Sequence, residues 1–202
     1  MIKTTIDGKT VELEQPGTIL EAAKKAGARI PTLCFHEHLT AFGGCRICLV
    51  ETWPASSPAA KRLVPACTSP AQEGAVVDTG SDRVREARRF IISLLLARTP
   101  HSPKLRALGE ELGVRPDGPD LDVVGEYLFQ RAPKREKTDC ILCGLCVRAC
   151  AEIPMRHAIS FSRRGMDRKV ETPFRKIATT CIGCGSCAFV CPTDAITIEE
   201  AS

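Results

Sequence analysis

From Thr4 to Leu13, apolar and polar residues alternate on either side of Asp7-Gly8. Alternation turns one face of a strand toward a core, and Asp-Gly tolerates the positive φ of a tight two-residue turn, so the pattern predicts a β-hairpin. Thr18 followed by Glu21 is a capping box, after which Ile19, Ala22, Ala23 and Ala26 share one helical face that Gly27 terminates. Strand-like segments follow at Ile47 to Glu51, Leu63 to Ala66 and Ala75 to Thr79, with WPASSPAAKR between the first two as an exposed insertion rich in Pro, Ala and Ser. A hairpin, a helix and then further strands make an α+β pattern.

Ser81 can cap a long helix running to about Ala97, with Val84, Ala87, Ile91, Leu94 and Leu95 on its inward face and Arg83, Arg85, Arg88 and Arg89 on the solvated one. Ser102-Pro103 starts a second helix carrying Leu105, Leu108 and Leu112, which Gly113 ends. RPDGPDLD reads as a linker, and Val123 to Phe129 as a third helix. From Ala132 the composition turns cysteine-rich, with short strands expected at Ala158 to Ser162 and Ala195 to Glu199. These shifts divide the chain into residues 1–80, a helical connector over 81–131 and a second domain over 132–202.

Composition narrows the class without changing this layout. At 202 residues, 44% hydrophobic and 26% charged, the chain is a globular protein with real cores. The longest apolar run, Phe90 to Ala97, is broken by Ser93. It falls far short of the roughly 20 residues that a membrane span needs. The amino terminus has no apolar stretch of the kind that marks a secretory leader, which points to the cytoplasm.

Twelve cysteines in a reducing compartment point to metal or redox chemistry rather than to disulfides. Cys140, Cys143, Cys146 and Cys150 follow CxxCxxCxxxC, and Cys181, Cys184, Cys187 and Cys191 repeat it, the last followed by Pro192. Three closely spaced thiolates suit the corners of a cubane, and Gly144, Gly183 and Gly185 let the backbone approach its inorganic core. Zinc, the alternative, takes four ligands from paired CxxC motifs and would waste this arrangement. Cys34, Cys45, Cys48 and Cys67, with gaps of 10, 2 and 18 residues, form a third quartet suited to the two-thiolates-per-iron geometry of a [2Fe-2S] centre. His36 and His38 lie beside Cys34, but a Rieske centre replaces two cysteines with histidines and here four cysteines are present.

CILCGLCVRAC and CIGCGSCAFVCPTDAI resemble a bacterial-type ferredoxin with two [4Fe-4S] clusters. Alanine follows Cys150 where simple ferredoxins have proline, and 30 residues separate Cys150 from Cys181. That form, with a later Arg163-Arg164-Gly165 turn, is similar to ferredoxin modules built into larger NADH-linked dehydrogenases. PTLCFHEH, GGCRICLVE and LVPACTSPAQEGAVVDT resemble the β-grasp [2Fe-2S] domain that opens the large peripheral subunit of complex I. The same domain occurs in the diaphorase small subunit of NAD-linked [NiFe] hydrogenases and in some formate dehydrogenases and [FeFe] hydrogenases. The resemblance covers residues 1–98 and 134–200. It implies a [2Fe-2S] cluster on Cys34, Cys45, Cys48 and Cys67, and two [4Fe-4S] clusters with crossed fourth ligands. One would be held by Cys140, Cys143, Cys146 and Cys191, the other by Cys181, Cys184, Cys187 and Cys150.

Related larger subunits follow the long helix with a histidine and three cysteines for one more cluster. No cysteine lies between Cys67 and Cys140, so that cluster is expected to be absent and His101 to be a loop residue. Neither GxGxxG, nor a P-loop, nor a nucleophile, base and acid set occurs, so two-electron chemistry is expected on another chain. The resemblance thus implies an electron-transfer subunit, non-catalytic alone. Its expected partners are a flavin-containing NAD(P)-binding subunit and a catalytic hydrogenase or dehydrogenase subunit, a cytosolic [NiFe] hydrogenase first and a formate dehydrogenase next.

A different class, an iron-sulfur or zinc protein that binds nucleic acid, has one argument in its favour. Residues 131–176 hold 12 Lys or Arg against 5 Asp or Glu, within a formal net charge of +4 for the chain. However, three clusters each carrying roughly −2 would bring that total to about −2. Only Phe161 and Phe174 offer aromatic faces for base stacking, so the basic residues read as compensation of cluster charge and a docking face, with no nucleic-acid partner.

Overall fold

A computed structural model describes residues 1–115, 138–175 and 179–198. The expected hairpin is β1 (Ile2–Ile6) against β2 (Lys9–Leu13), joined by Asp7 at φ 48° and Gly8 at φ 81°. Both values are positive, as an Asp-Gly turn requires for its twist to match that of the strands. Helix α1 (Ile19–Ala26) is capped as expected: the Glu21 amide donates to Thr18 Oγ1 at 3.3 Å, the Thr18 amide donates to Glu21 Oε2 at 2.6 Å, and Gly27 closes the helix at φ 77°.

Strands β3 (Leu49–Pro54), β4 (Arg62–Pro65) and β5 (Ala75–Asp78) complete a five-stranded sheet in the order β2-β1-β5-β3-β4. β1 runs parallel to β5 and the other pairs are antiparallel, the mixed order of a β-grasp sheet. Ile6, Val50 and Val77 bury against Ile19, Ala22 and Ala23 of α1. Several expected boundaries move: Ala66 and Thr79 fall outside β4 and β5, and Arg62 joins β4. Ile47 and Cys48 stay in the preceding loop, where Arg46 takes φ 61°, a reversal that an extended strand does not allow. Trp53 and Pro54 belong to β3, because Trp53 pairs with Val76, so the exposed insertion is a β3–β4 hairpin loop. Lys61 of that loop lies 4.5 Å from the Trp53 ring.

Helix α2 (Asp82–Arg98) begins where expected, with Ser81 Oγ accepting from the Val84 amide at 3.3 Å, but its inward face is rotated. Val84, Arg88, Ile92, Ser93 and Leu96 are buried, while Ile91, Leu94 and Leu95 flank them half-buried. Arg88, placed on the solvated face by its charge, is only 6% exposed, because its guanidinium donates twice to the Leu49 carbonyl at 3.1 and 2.7 Å. Helix α3 (Pro103–Glu111) packs on α2, with Leu105 buried and Gly109 so close that a Cβ there would lie 2.8 Å from Leu96 Cδ1. His101 is an exposed turn residue between the two helices. The linker at 115–122, apart from Arg115, the third helix at 123–129 and the boundary near 131 lie outside the described residues.

The cysteine-rich part contains α4 (Leu145–Glu152), an antiparallel pair β6 (Ser160–Ser162) and β7 (Lys169–Glu171), and α5 (Ser186–Phe189). β7 had no strand signal in the sequence. No strand forms over 195–198, because the Ala195 amide donates to Cys191 Sγ at 3.2 Å instead of to a neighbouring strand. One core joins this part to the first domain: Leu33, Leu39 and Ile47 meet Ile92, Leu96 and Leu105 of the helical pair and Ile141, Leu145 and Ala149 of the first cysteine run. Among the described residues, no helix is long and apolar enough to cross a membrane.

Candidate iron-sulfur centres

Loop geometry brings the amino-terminal quartet together. Cys34 follows α1, Cys45 and Cys48 lie on the glycine-opened loop before β3, and Cys67 follows β4. Gly43, at φ 65°, lets that loop turn beside Thr68. Cys34, Cys48 and Cys67 are each about 1% exposed, and Cys45 is half-buried. Cys48 Sγ lies 3.4 Å from Cys67 Sγ, too far for a disulfide, and the Cys45 amide donates to Cys34 Sγ at 3.4 Å. All twelve cysteines are free.

Four thiols this close cannot ionise independently. Hydrogen bonds from the Cys45 and Cys67 thiols pull Cys34 far below the usual thiol range, and a bond from Cys67 brings Cys48 down to about 7. The same contacts push Cys45 and Cys67 strongly up. Such a set becomes four thiolates only when positive charge is placed among them, so a buried, mutually hydrogen-bonded tetrad of soft ligands fits an iron centre. His36 and His38 turn to each other instead: the His38 amide donates to His36 Nδ1 at 3.3 Å, and the rings lie 5.6 Å apart.

The two carboxyl-terminal runs repeat one backbone. Leu142 and Gly183 take φ of 57° and 67°, and Gly144 and Gly185 take 73° and 74° just before α4 and α5. In each run the fourth thiol accepts a bond from the amide of an alanine preceding isoleucine: Ala158 to Cys150 at 3.3 Å, Ala195 to Cys191 at 3.2 Å. The first run spaces these partners by eight residues and the second by four, and in both the residue before the alanine, His157 or Asp194, takes a positive φ of 50° or 53°.

A cavity of about 340 Å³ is lined by Cys140, Cys143, Cys146 and Cys191 together, with Cys187 also on its wall. The fourth cysteine of the second run thus stands with the three of the first. Burial pushes Cys143 up to about 11 and Cys146 to about 12, so these thiols too stay protonated unless a cation joins them. Cys187 is raised by burial, and the charges of Cys184 and Cys150 push in the same direction. Cys181 and Cys184 are exposed, and the Ser186 hydroxyl, 3.4 Å from Cys184 Sγ, lowers the Cys184 thiol.

Residues 1–82 match the 2Fe-2S iron-sulfur cluster binding domain family, and residues 139–195 match the 4Fe-4S dicluster domain family. The chain joins a [2Fe-2S] ferredoxin domain to a [4Fe-4S] dicluster domain. It is 35% identical over 214 residues to an NADH-quinone oxidoreductase subunit of Rhizobium meliloti (strain 1021), covering 97% of this chain and 24% of that protein. It is 32% identical over 219 residues to NADP-reducing hydrogenase subunit HndD of Solidesulfovibrio fructosivorans, covering 99% of this chain and 36% of that protein. The chain therefore spans from about a quarter to just over a third of the length of these curated relatives. A chain of the crystal structure of NAD+-reducing [NiFe]-hydrogenase in the H2-reduced state superposes with a TM-score of 0.75 at 27% identity, over 96% of this chain and 86% of that one.

Three arginines beside these iron-sulfur domains' cysteines had no signal in the motifs. Arg88 holds the Leu49 carbonyl next to Cys48, Arg98 Nε donates to the Cys140 carbonyl at 2.7 Å, and Arg148 Nη2 donates to the Cys34 carbonyl at 2.8 Å. Each fixes the backbone at or beside a candidate ligand. Their spacing along the helices follows no motif, because their acceptors are carbonyls far away in sequence.

Proposed function

We propose that this chain is an electron-transfer subunit holding three clusters: a [2Fe-2S] on Cys34, Cys45, Cys48 and Cys67, a [4Fe-4S] on Cys140, Cys143, Cys146 and Cys191, and a [4Fe-4S] on Cys181, Cys184, Cys187 and Cys150. The observation that carries the reading is the cavity that Cys191 shares with the first cysteine run. When bound, clusters of these types supply one-electron steps. The residues of the chain do the rest. The Cys45, Leu142, Ala158 and Ala195 amides aim at ligand sulfurs, which fixes the thiols and stabilises their charge. The shared apolar core covers Cys34 and Cys143, and the core of the first domain covers Cys48 and Cys67.

In this reading the subunit carries electrons between a flavin-containing NAD(P)-binding subunit and the catalytic subunit of a cytoplasmic [NiFe] hydrogenase. The likeness to an NADP-reducing hydrogenase subunit and to a chain of an NAD+-reducing hydrogenase supports it. The 35% identity to an NADH-quinone oxidoreductase subunit favours a second reading, an electron-transfer subunit of a complex I-like dehydrogenase. The domain boundaries at 80 and 131 belong to the same proposal. Iron and acid-labile sulfide analysis of the anaerobically purified chain tests it: the expected content is about 10 iron atoms, with matching sulfide. Saturation by zinc without sulfide would overturn it. The isolated chain is expected to oxidise neither NAD(P)H nor hydrogen, and to become reducible once its flavoprotein is added.

A further inference from the structure

Arg148 sits on α4 between Cys146 and Cys150, yet its guanidinium reaches into the other domain. Nη2 donates to the Cys34 carbonyl at 2.8 Å and Nη1 to the Thr40 carbonyl. The same loop is gripped again by α4, since the Thr40 amide donates to Glu152 Oε2 at 2.8 Å. Phe42, two residues on, lies 5.6 Å below the guanidinium and stacks on Phe161 at 6.3 Å. These contacts seat the Cys34 side of the tetrad against the helix that carries two candidate [4Fe-4S] ligands.

Two features show that Arg148 does more than clip a loop. Its guanidinium has no carboxylate partner among the described residues, and Nε is buried without an acceptor. A buried donor left unpaired is costly, and an arginine is charged at any working pH, so among the described residues a positive charge without a carboxylate partner stands next to the Cys34 ligand position. The cubane motif does not require it either. The equivalent position of the second run, between the third and fourth cysteines, is Phe189, which is 87% exposed. What distinguishes the two positions is that the first run faces the [2Fe-2S] domain.

We propose that Arg148 is the positioning residue that ties the [2Fe-2S] site to the first [4Fe-4S] site and raises the reduction potential of the [2Fe-2S] site. Adding an electron at that site adds negative charge to its thiolates. A fixed guanidinium bonded to the carbonyl of one ligand favours the reduced form, the outer-shell lever by which proteins tune such centres. The inference rests on the three-centre reading above, and an iron count on the unsubstituted chain tests that reading by itself.

The experiment compares Arg148→Met, which keeps bulk and removes charge and donors, with Arg148→Lys, which keeps charge and one donor. Both are made in the full, cluster-loaded chain, and potentials are read by EPR-monitored redox titration. Arg148→Met is expected to keep wild-type iron and sulfide. It should lower the reduced-to-oxidised ratio of the [2Fe-2S] centre at a fixed potential about tenfold, or 59 mV for one electron, leaving the centre of the second run unmoved. Arg148→Lys should recover more than half of that shift. The magnetic interaction between the reduced [2Fe-2S] and first [4Fe-4S] centres should weaken in Arg148→Met. An unchanged potential in Arg148→Met, a Lys variant that shifts as far as Met, or loss of the [2Fe-2S] centre from both variants would overturn the proposal, the last by showing that Arg148 only assembles the site.

Discussion

Ile141 and Ile182 occupy the same place in the two cysteine runs, one residue after the first cysteine, yet Ile141 is 8% exposed and Ile182 56%. The contrast continues along the motif. Leu145 is buried where the second run has half-buried Ser186, and Arg148 is engaged by the first domain where Phe189 faces outward. Only the position before the fourth cysteine is buried in both, Ala149 in one and Val190 in the other. The turns that open the two runs are nevertheless alike, down to left-handed glycines at Gly144 and Gly185, although α4 carries its fourth cysteine and α5 ends before it. A repeated ligand motif therefore specifies how thiols are presented, while burial is decided by whatever packs outside, here the [2Fe-2S] domain and the α2–α3 pair over the first run.

The paired isoleucines should show the largest difference between the two runs. Ile141→Ala removes side-chain volume from the core that spans both domains and should cost about 2–5 kcal/mol, whereas Ile182→Ala should stay within about 0.5 kcal/mol. Thermal or chemical unfolding of the two holoproteins under anaerobic conditions measures both, and equal losses would mean that the second run is covered as well. Accessibility should differ next. With Cys181 and Cys184 exposed and three of the four tetrad cysteines buried, an iron chelator is expected to strip the second run at least tenfold faster than the [2Fe-2S] site, a barrier difference of about 1.4 kcal/mol. EPR signals followed during chelation give the order of loss, and simultaneous loss would contradict it.

The two left-handed glycines should differ least. Either Gly144→Ala or Gly185→Ala forces a side chain into the left-handed region, at about 1–2 kcal/mol. At Gly144 the new Cβ would also lie 3.0 and 3.2 Å from ring atoms of Phe161, held between Phe42 and Arg168, while at Gly185 it meets only the mobile tip of exposed Ile198. Gly144→Ala should therefore be the more destabilising by about 0.5–1 kcal/mol, read as a difference in unfolding midpoint.

What could be read from the chain in advance was local. The Asp7-Gly8 turn, the Thr18–Glu21 box, the Ser81 and Ser102 caps and the repeated cysteine runs each depend on residues a few positions apart. Long-range demands were invisible. The charge of Arg88 predicts a solvated residue because the carbonyl that draws it inward, that of Leu49, lies 39 positions away. Alternation at Ala195 suggested a strand, but the neighbouring thiol takes its amide. Ile47 and Cys48 looked strand-like because apolar runs do not reveal that a ligand loop must reverse at Arg46. The motifs mark all twelve candidate ligands and the family resemblance implies that Cys191 joins the first run, while the cavity they share belongs to the fold.

The crossing of the fourth ligands is the most exposed claim, and Mössbauer and EPR spectroscopy of Cys191→Ser and Cys150→Ser, set against Cys140→Ser and Cys181→Ser, tests it directly. Cys191→Ser is expected to perturb the same centre as Cys140→Ser, and Cys150→Ser the same centre as Cys181→Ser. If Cys150→Ser instead matched Cys140→Ser in the signal it lost, each run would hold its own cluster and the account would be wrong.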